Sequence, residues 1–173
     1  MSEEDDAPPE ARTAKIVPGS RLVPFALGGL PLAAADMGTG LGLGAAVAYD
    51  AVLLGIAALE ARGLAKDAPA VERRMDSRLV VGVENTIRVR LHNPTRRTMK
   101  VTVRDDLPPG WEAKPDELSV ELPPYARREL SYVVVPPKRG KFEFGRLHLK
   151  LEGGAKLGAS IVSVEATEAA RVF

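Results

Sequence analysis

The chain has no cysteine, which excludes both a disulfide framework and a thiolate metal site. Its only histidines are His92 and His148, and Trp111 is its one tryptophan. Neither histidine has a second at ligand spacing, and both fall on the outward phase of alternating segments. That is the position of a solvated side chain, not of a general base with a nucleophile and an orienting group in reach. No metal site or cofactor is expected. Charge of one sign is also lacking, since the net charge is +1. Residues 70–173 carry 19 Lys and Arg against 14 Asp and Glu, a surplus too diluted by acids for nucleic acid. Arg88, Arg90, Lys100 and Arg104 would form one basic face if their strands adjoin, but no aromatics interleave with them for base stacking. Such a face suits solvent, or weak attraction to anionic headgroups.

What the chain does have is a change of alphabet near Arg62. Residues 1–15 combine Glu3, Glu4, Asp5, Asp6 and Glu10 with Pro8 and Pro9, a composition that reads as a disordered tail. The run Leu22 to Ala35 is apolar but short, reaching about 20 residues, the usual minimum for a span, only if counted from Ile16. Pro24 and Pro31 interrupt it. Met37 to Leu59 is longer, with Asp50 as its one ionisable group. Residues 16–62 therefore read as a transmembrane helical hairpin, with 63–69 as a linker. A buried hairpin in a soluble helical domain is the competing reading, but these segments offer no polar face to water. Arg12, Lys15 and Arg21 precede the hairpin, and Arg62, Lys66, Arg73 and Arg74 follow it. The turn Asp36-Met37-Gly38-Thr39-Gly40 has no basic residue, so both ends are expected in the cytoplasm.

Gly38, Gly42, Ala46 and Asp50 fall four apart, as do Gly40, Gly44 and Ala48, which predicts a small-residue face where a partner helix can approach. Asp50 shares that face. An acid near mid-bilayer costs about 3 kcal/mol on insertion scales, so it is either a proton or partner contact or a protonated side chain in the hairpin seam. The glycines match neither a dinucleotide fingerprint nor a phosphate loop.

Beyond Gly63 the period becomes two. Ile87, Val89 and Leu91 alternate with Arg88, Arg90 and His92, and Met99, Val101 and Val103 alternate with Lys100, Thr102 and Arg104. Leu118 to Leu122 and Arg128 to Val135 follow, closed by Pro123-Pro124 and Pro136-Pro137. The phase slips at Gly145-Arg146, which suggests a β-bulge. About seven short strands at roughly ten-residue spacing predict an immunoglobulin-like β-sandwich over 70–173. Asp105-Asp106 could be an acid pair, but neighbours on a strand point apart, so a loop entry is expected. Trp111 reads either as an interface anchor or as a cap on the core. Val133 and Val135, with Tyr125 and Trp111, form the candidate partner-binding surface, because an apolar outer strip on a β-domain pairs or aggregates.

The order of Glu84-Asn85, Leu91-His92-Asn93, Arg104-Asp105-Asp106-Leu107-Pro108, Leu122-Pro123-Pro124 and Arg139-Gly140-Lys141-Phe142-Glu143-Phe144-Gly145 resembles the front half of the bacterial domain-of-unknown-function fifty-eight family. The resemblance runs over roughly residues 16–173. It implies two membrane segments with an aspartate late in the second, matching Asp50, and association with MoxR-type AAA ATPases and a von Willebrand A-type domain. Gly153-Gly154-Ala155-Lys156-Leu157-Gly158 departs from the family's usual turn. The expectation is a membrane-anchored, non-enzymatic interaction module on the inner membrane, its β-domain facing the cytoplasm. The alternative is an exported envelope sandwich that binds glycan or cell-wall polymer.

Overall fold

The computed structural model describes residues 12–35, 38–76 and 78–173. Among them are twelve strands and a helical arm inserted between the first strand and the second. Strand β1 (Arg12–Pro18) leads into α1 (Leu22–Ala26), a 3-10 turn (Leu27–Gly29), α2 (Leu30–Ala34) and the long α3 (Leu41–Lys66). The rest is β: β2 (Ala70–Arg74), β3 (Arg78–Leu79), β4 (Asn85–His92), β5 (Met99–Asp105), β6 (Ala113–Lys114) and β7 (Leu118–Leu122), then β8 (Arg127–Val134), β9 (Gly140–Phe144), β10 (Leu147–Glu152), β11 (Gly158–Val164) and β12 (Glu168–Val172).

Three sheets share one core. Their orders are β1-β11-β10-β5-β7, β2-β4-β8-β6 and β3-β12-β9. The suborders β2-β4-β8 and β11-β10-β5 are those of strands A-B-E and G-F-C in an immunoglobulin-like sandwich. Alternation decides which side chains face inward. Ile87, Val89 and Leu91 of β4 are buried against Val101 and Val103 of β5 and Leu147, Leu149 and Leu151 of β10. Trp111 caps this core, its ring 5.1 Å from that of Phe142 and 5.6 Å from that of Phe144.

Several expectations are corrected here. Residues 12–15 are not tail but part of β1, which pairs antiparallel with β11 from Arg12↔Val164 to Pro18↔Gly158. Ile16 therefore belongs to a strand and not to the helical arm. Residues 63–69 are not a linker either, because α3 runs through Lys66 and both Leu64 and Ala68 join the sandwich core. The phase slip at Gly145-Arg146 is a change of sheet. β9 pairs with β12 in one sheet, whereas β10 pairs with β5 and β11 in another. Phe144 and Leu147 can thus both be fully buried despite their opposite phases. Residues 1–11, and Asp36 and Met37 of the predicted turn, lie outside the described residues.

The expected pair of spanning helices becomes one. Among the described residues only α3 is long and apolar enough to cross a bilayer, at 26 residues, and 17 % of its most apolar stretch is buried. The first arm is cut into pieces by its prolines. Pro24 and Pro31 each sit in the first turn of a short helix, the place where a missing N–H costs least, so Leu22–Ala34 reaches only about 20 Å. The two arms still pack. Ala46, Leu53, Ala57, Ala61 and Leu64 form the buried face of α3, at helical spacing. Up to Leu59 most other positions of α3 are apolar and open, with Leu43, Val47, Val52, Leu54, Ile56 and Leu59 all exposed.

Candidate functional site

Asp50 lies in the seam between the arms. Its Oδ1 is buried without a hydrogen-bond partner, and a Cβ added to Gly29 would stand 3.4 Å from it. Beside it the Tyr49 hydroxyl donates to the Phe25 carbonyl at 2.9 Å, over Gly28, where a Cβ would come within 2.9 Å of that hydroxyl. Gly28 and Gly29 of the first arm are thus the positions that face Tyr49 and Asp50 across the seam. Three glycines of the predicted small-residue face are corrected. Gly38 and Gly40, at φ +85° and +75°, belong to the turn before α3. Gly44 is in the helix, but a Cβ there would meet nothing within 4 Å. Gly42 is half-buried. The rest of that row is as the spacing predicts: Ala46 is buried and Asp50 half-buried, and the Ala46 carbonyl and Asp50 Oδ1 are among the atoms nearest Gly29 of the first arm.

Of the residues expected to form a partner surface, Val133 and Val135 stay together and Trp111 and Tyr125 do not join them. Trp111 is buried at 7 % exposure, which is the core-capping alternative, and it drops out of the candidate surface. Tyr125, at φ +55°, is exposed before β8, and its hydroxyl accepts from Arg96 Nε at 3.0 Å. Val133 is half-buried and Val135 exposed at the other end of β8, about 25 Å away at strand rise. Nor do the four basic residues share a face. Arg88 and Arg90 are on β4 and share Glu129, whereas Lys100 and Arg104 are on β5 of the other sheet. The hydrogen bond from Arg90 holds the Glu129 carboxyl below the ordinary carboxylate range.

Asp105 and Asp106 do point apart, with side chains 4 % and 65 % exposed. What the strand pattern did not reveal is the company Asp105 keeps. Arg73, on β2 of the opposite sheet, gives it two parallel hydrogen bonds, from Nε at 2.9 Å and Nη2 at 2.5 Å. The same guanidinium donates to the Ala166 carbonyl at 2.6 Å and the Gly145 carbonyl at 3.0 Å, and lies 5.2 Å over the Phe144 ring. The Tyr132 hydroxyl also donates to Asp105. This cluster joins the two sheets through the core. Its polar atoms are partnered, which marks it as structural.

Burial, and then the Asp105 carboxylate, push the Tyr132 hydroxyl far above its ordinary value near 10. A raised folded value means that the native state holds the proton longer than the unfolded chain does. The stabilisation is full below about pH 10 and is lost as pH rises beyond it. We expect the tyrosinate absorbance of Tyr132 to appear only together with alkaline unfolding. A step from Tyr132 in the folded protein, identified by its loss in Tyr132→Phe, would contradict the buried network.

A second arrangement missed in the sequence welds the arm to the sandwich. The Glu60 carboxylate of α3 accepts four backbone N–H groups from the turn before β11: Ala155 at 3.1 Å, Lys156 at 3.2 Å, and Leu157 and Gly158 at 3.0 Å each. The first arm holds the same turn from its other side, through Gly19 N–H to the Leu157 carbonyl at 2.8 Å and Arg21 N–H to the Lys156 carbonyl at 2.9 Å. Gly158 is required by contact, since a Cβ there would fall 1.9 Å from the Ala57 carbonyl oxygen. The available signal was Glu60 itself, an acid directly after the apolar run that ends at Leu59.

His148 contacts Ser163 Oγ through Nδ1 at 2.8 Å and reaches Asp106 Oδ2 at 3.8 Å through Nε2. His92 pairs with Ala70 and Arg127 across its strand neighbours. Among the described residues no group of three His, Asp or Glu could hold a metal ion.

These features define the class as a mostly β protein, an immunoglobulin-like sandwich carrying one span-length apolar helix. No protein-family model matches the chain, and no curated protein matches it. Solved structures give distant likenesses. The CARDB domain of the PF1109 protein from Pyrococcus furiosus is 15 % identical over 61 % of this chain and 89 % of that one, with a TM-score of 0.37. The ASH/PapD-like domain of human CEP192 is 13 % identical over 59 % and 81 %, at 0.37. The FixG-related protein from Vibrio parahaemolyticus is 13 % identical over 61 % and 97 %, at 0.39. Likenesses this distant say nothing of activity, partner or ligand.

Proposed function

We propose that the chain is a membrane-anchored, non-enzymatic interaction module of the inner membrane, its sandwich held against the cytoplasmic face. The observation that carries this reading is the surface of α3. Apolar side chains are exposed around it from Leu41 to Leu59, a length of about 28 Å, close to the hydrocarbon thickness of a bilayer. In water such a surface would drive aggregation. The broken first arm, packed on α3 through Gly28 and Gly29, accompanies it into the bilayer without needing to cross as a single helix. The Glu60 clasp supports a rigid attachment, which suits a domain presented to a partner at a set distance from the leaflet. By the residue resemblance that partner is a MoxR-type AAA ATPase or a von Willebrand A-type subunit.

Full-length protein is expected to sediment with membranes from broken cells and to be released by detergent but not by high salt. Recovery in the lipid-free supernatant would refute the anchor. Crosslinking in detergent extracts is expected to recover the ATPase or the A-type subunit. Digestion of the sandwich by protease added outside intact cells would instead favour the exported, glycan-binding alternative.

A further inference from the structure

Where the arm leaves the sandwich, a cleft of about 450 Å³ is lined by Arg21, Lys100 and Lys156, together with Thr98, Glu121 and the Gly153-Gly154 turn. Among the described residues no carboxylate lies within 4.0 Å of a side-chain nitrogen of these three cations. The acidic neighbours of Lys100 are its cross-strand partners. These are Glu121 on β7 and Glu152 on β10, and Glu152 is already paired with Lys150 Nζ at 3.4 Å. The Glu60 carboxylate lies against the Gly153 side of the cleft but is taken up by four backbone N–H groups, so three cations face two carboxylates and the balance is positive, which favours an added anion.

The cleft is built rather than incidental. Lys156 is held at φ +59°, a region unfavourable for a side chain with a Cβ, by the Glu60 carboxylate on its N–H and the Arg21 N–H on its carbonyl. The same bonds hold Arg21 beside it. Its position is equally specific. Arg21 is the N-cap of α1 and the last polar residue before the arm's apolar run, in which Val23 and Phe25 are exposed. Arg97, next in the chain to the lining residue Thr98, has its Nη1 3.8 Å from where a Cβ on Gly63 of α3 would stand. Cations thus stand directly beside the start of the apolar surface. An amphiphile with a negative head and an apolar tail matches both.

We infer that this cleft holds the phosphate of an anionic phospholipid headgroup, with the acyl chains lying along the exposed side chains of the first arm. The inference rests on the membrane reading above. The lipid would fix the depth at which the sandwich sits, because its phosphate touches both Arg21 of the arm and Lys100 of the sheet.

The test uses the full chain reconstituted into phosphatidylcholine vesicles, alone or with phosphatidylglycerol, followed by flotation and native mass spectrometry of the detergent-released protein. Each basic residue at a leaflet is worth about fivefold in affinity, so Lys100→Gln/Lys156→Gln is expected to weaken phosphatidylglycerol retention about thirtyfold while flotation stays unchanged. Flotation with undiminished retention in the variant overturns this inference alone. Failure to float with either composition overturns the membrane reading and the lipid assignment together. Displacement of the retained lipid by equimolar inorganic phosphate would mark the cleft as a site for a free anion and overturn the lipid assignment.

Discussion

Asp105→Ala is expected to lower the stability of the sandwich by about 3–5 kcal/mol, the usual cost of stranding one half of a buried ion pair. Arg73, whose side chain is 1 % exposed, would be left charged in the core with two of its donors unmet. The Tyr132 hydroxyl would lose its acceptor at the same time. Trp111 provides the readout. It touches Phe144, whose ring faces the guanidinium, so urea unfolding of the detergent-solubilised chain can be followed by tryptophan fluorescence. The triple variant Arg73→Met/Asp105→Leu/Tyr132→Phe should recover much of the loss, since an apolar replacement leaves no orphaned group. A cost below about 1 kcal/mol for Asp105→Ala would mean that the pair is not desolvated as described.

Breaking the clasp between arm and sandwich should have the second-largest effect. In Gly158→Val the new Cβ would fall on the Ala57 carbonyl oxygen, with the Ala61 nitrogen 3.0 Å away, all backbone atoms that cannot rotate aside. The helix must then lift off. Glu60→Ala acts on the same joint differently, leaving four N–H groups without their carboxylate, where bonds to a charged group contribute about 1.5–3 kcal/mol each. Hydrogen exchange resolved by segment is the appropriate measurement. Residues 155–160 should lose protection by at least tenfold in either variant, while β4 and β8, in the sheet that does not contain β11, keep theirs. Equal loss everywhere would indicate global destabilisation and no separable joint.

Much of the sandwich was readable in the chain. Alternation along Ile87 to Leu91 and Met99 to Val103 identifies half-buried strands, because side chains on a strand face opposite sides by geometry alone. The apolar run ending at Leu59 is equally legible, since it depends on composition over a length. What escaped depends on pairing across the fold. β1 carries no strand signal of its own, for its residues are nearly all exposed; its hydrogen bonds to β11 make it a strand. Two members leave the candidate surface for the same reason. Tyr125 and Val135 are close in sequence, but an extended strand holds them far apart, and Trp111 found aromatic partners some thirty residues later in the chain.

Composition and periodicity thus determined that this chain has a β-rich rear, an apolar helical front and an acid placed among apolar residues. They act locally, through backbone geometry and the affinity of each side chain for water, and so survive in a linear reading. The tertiary structure decided which groups meet: Arg73 with Asp105, Glu60 with the turn before β11, Gly29 with Asp50, and three cations around one cleft. Those contacts join residues as far apart in the chain as Arg21 and Lys156, and a charge or a glycine has no specific partner until the chain closes around it.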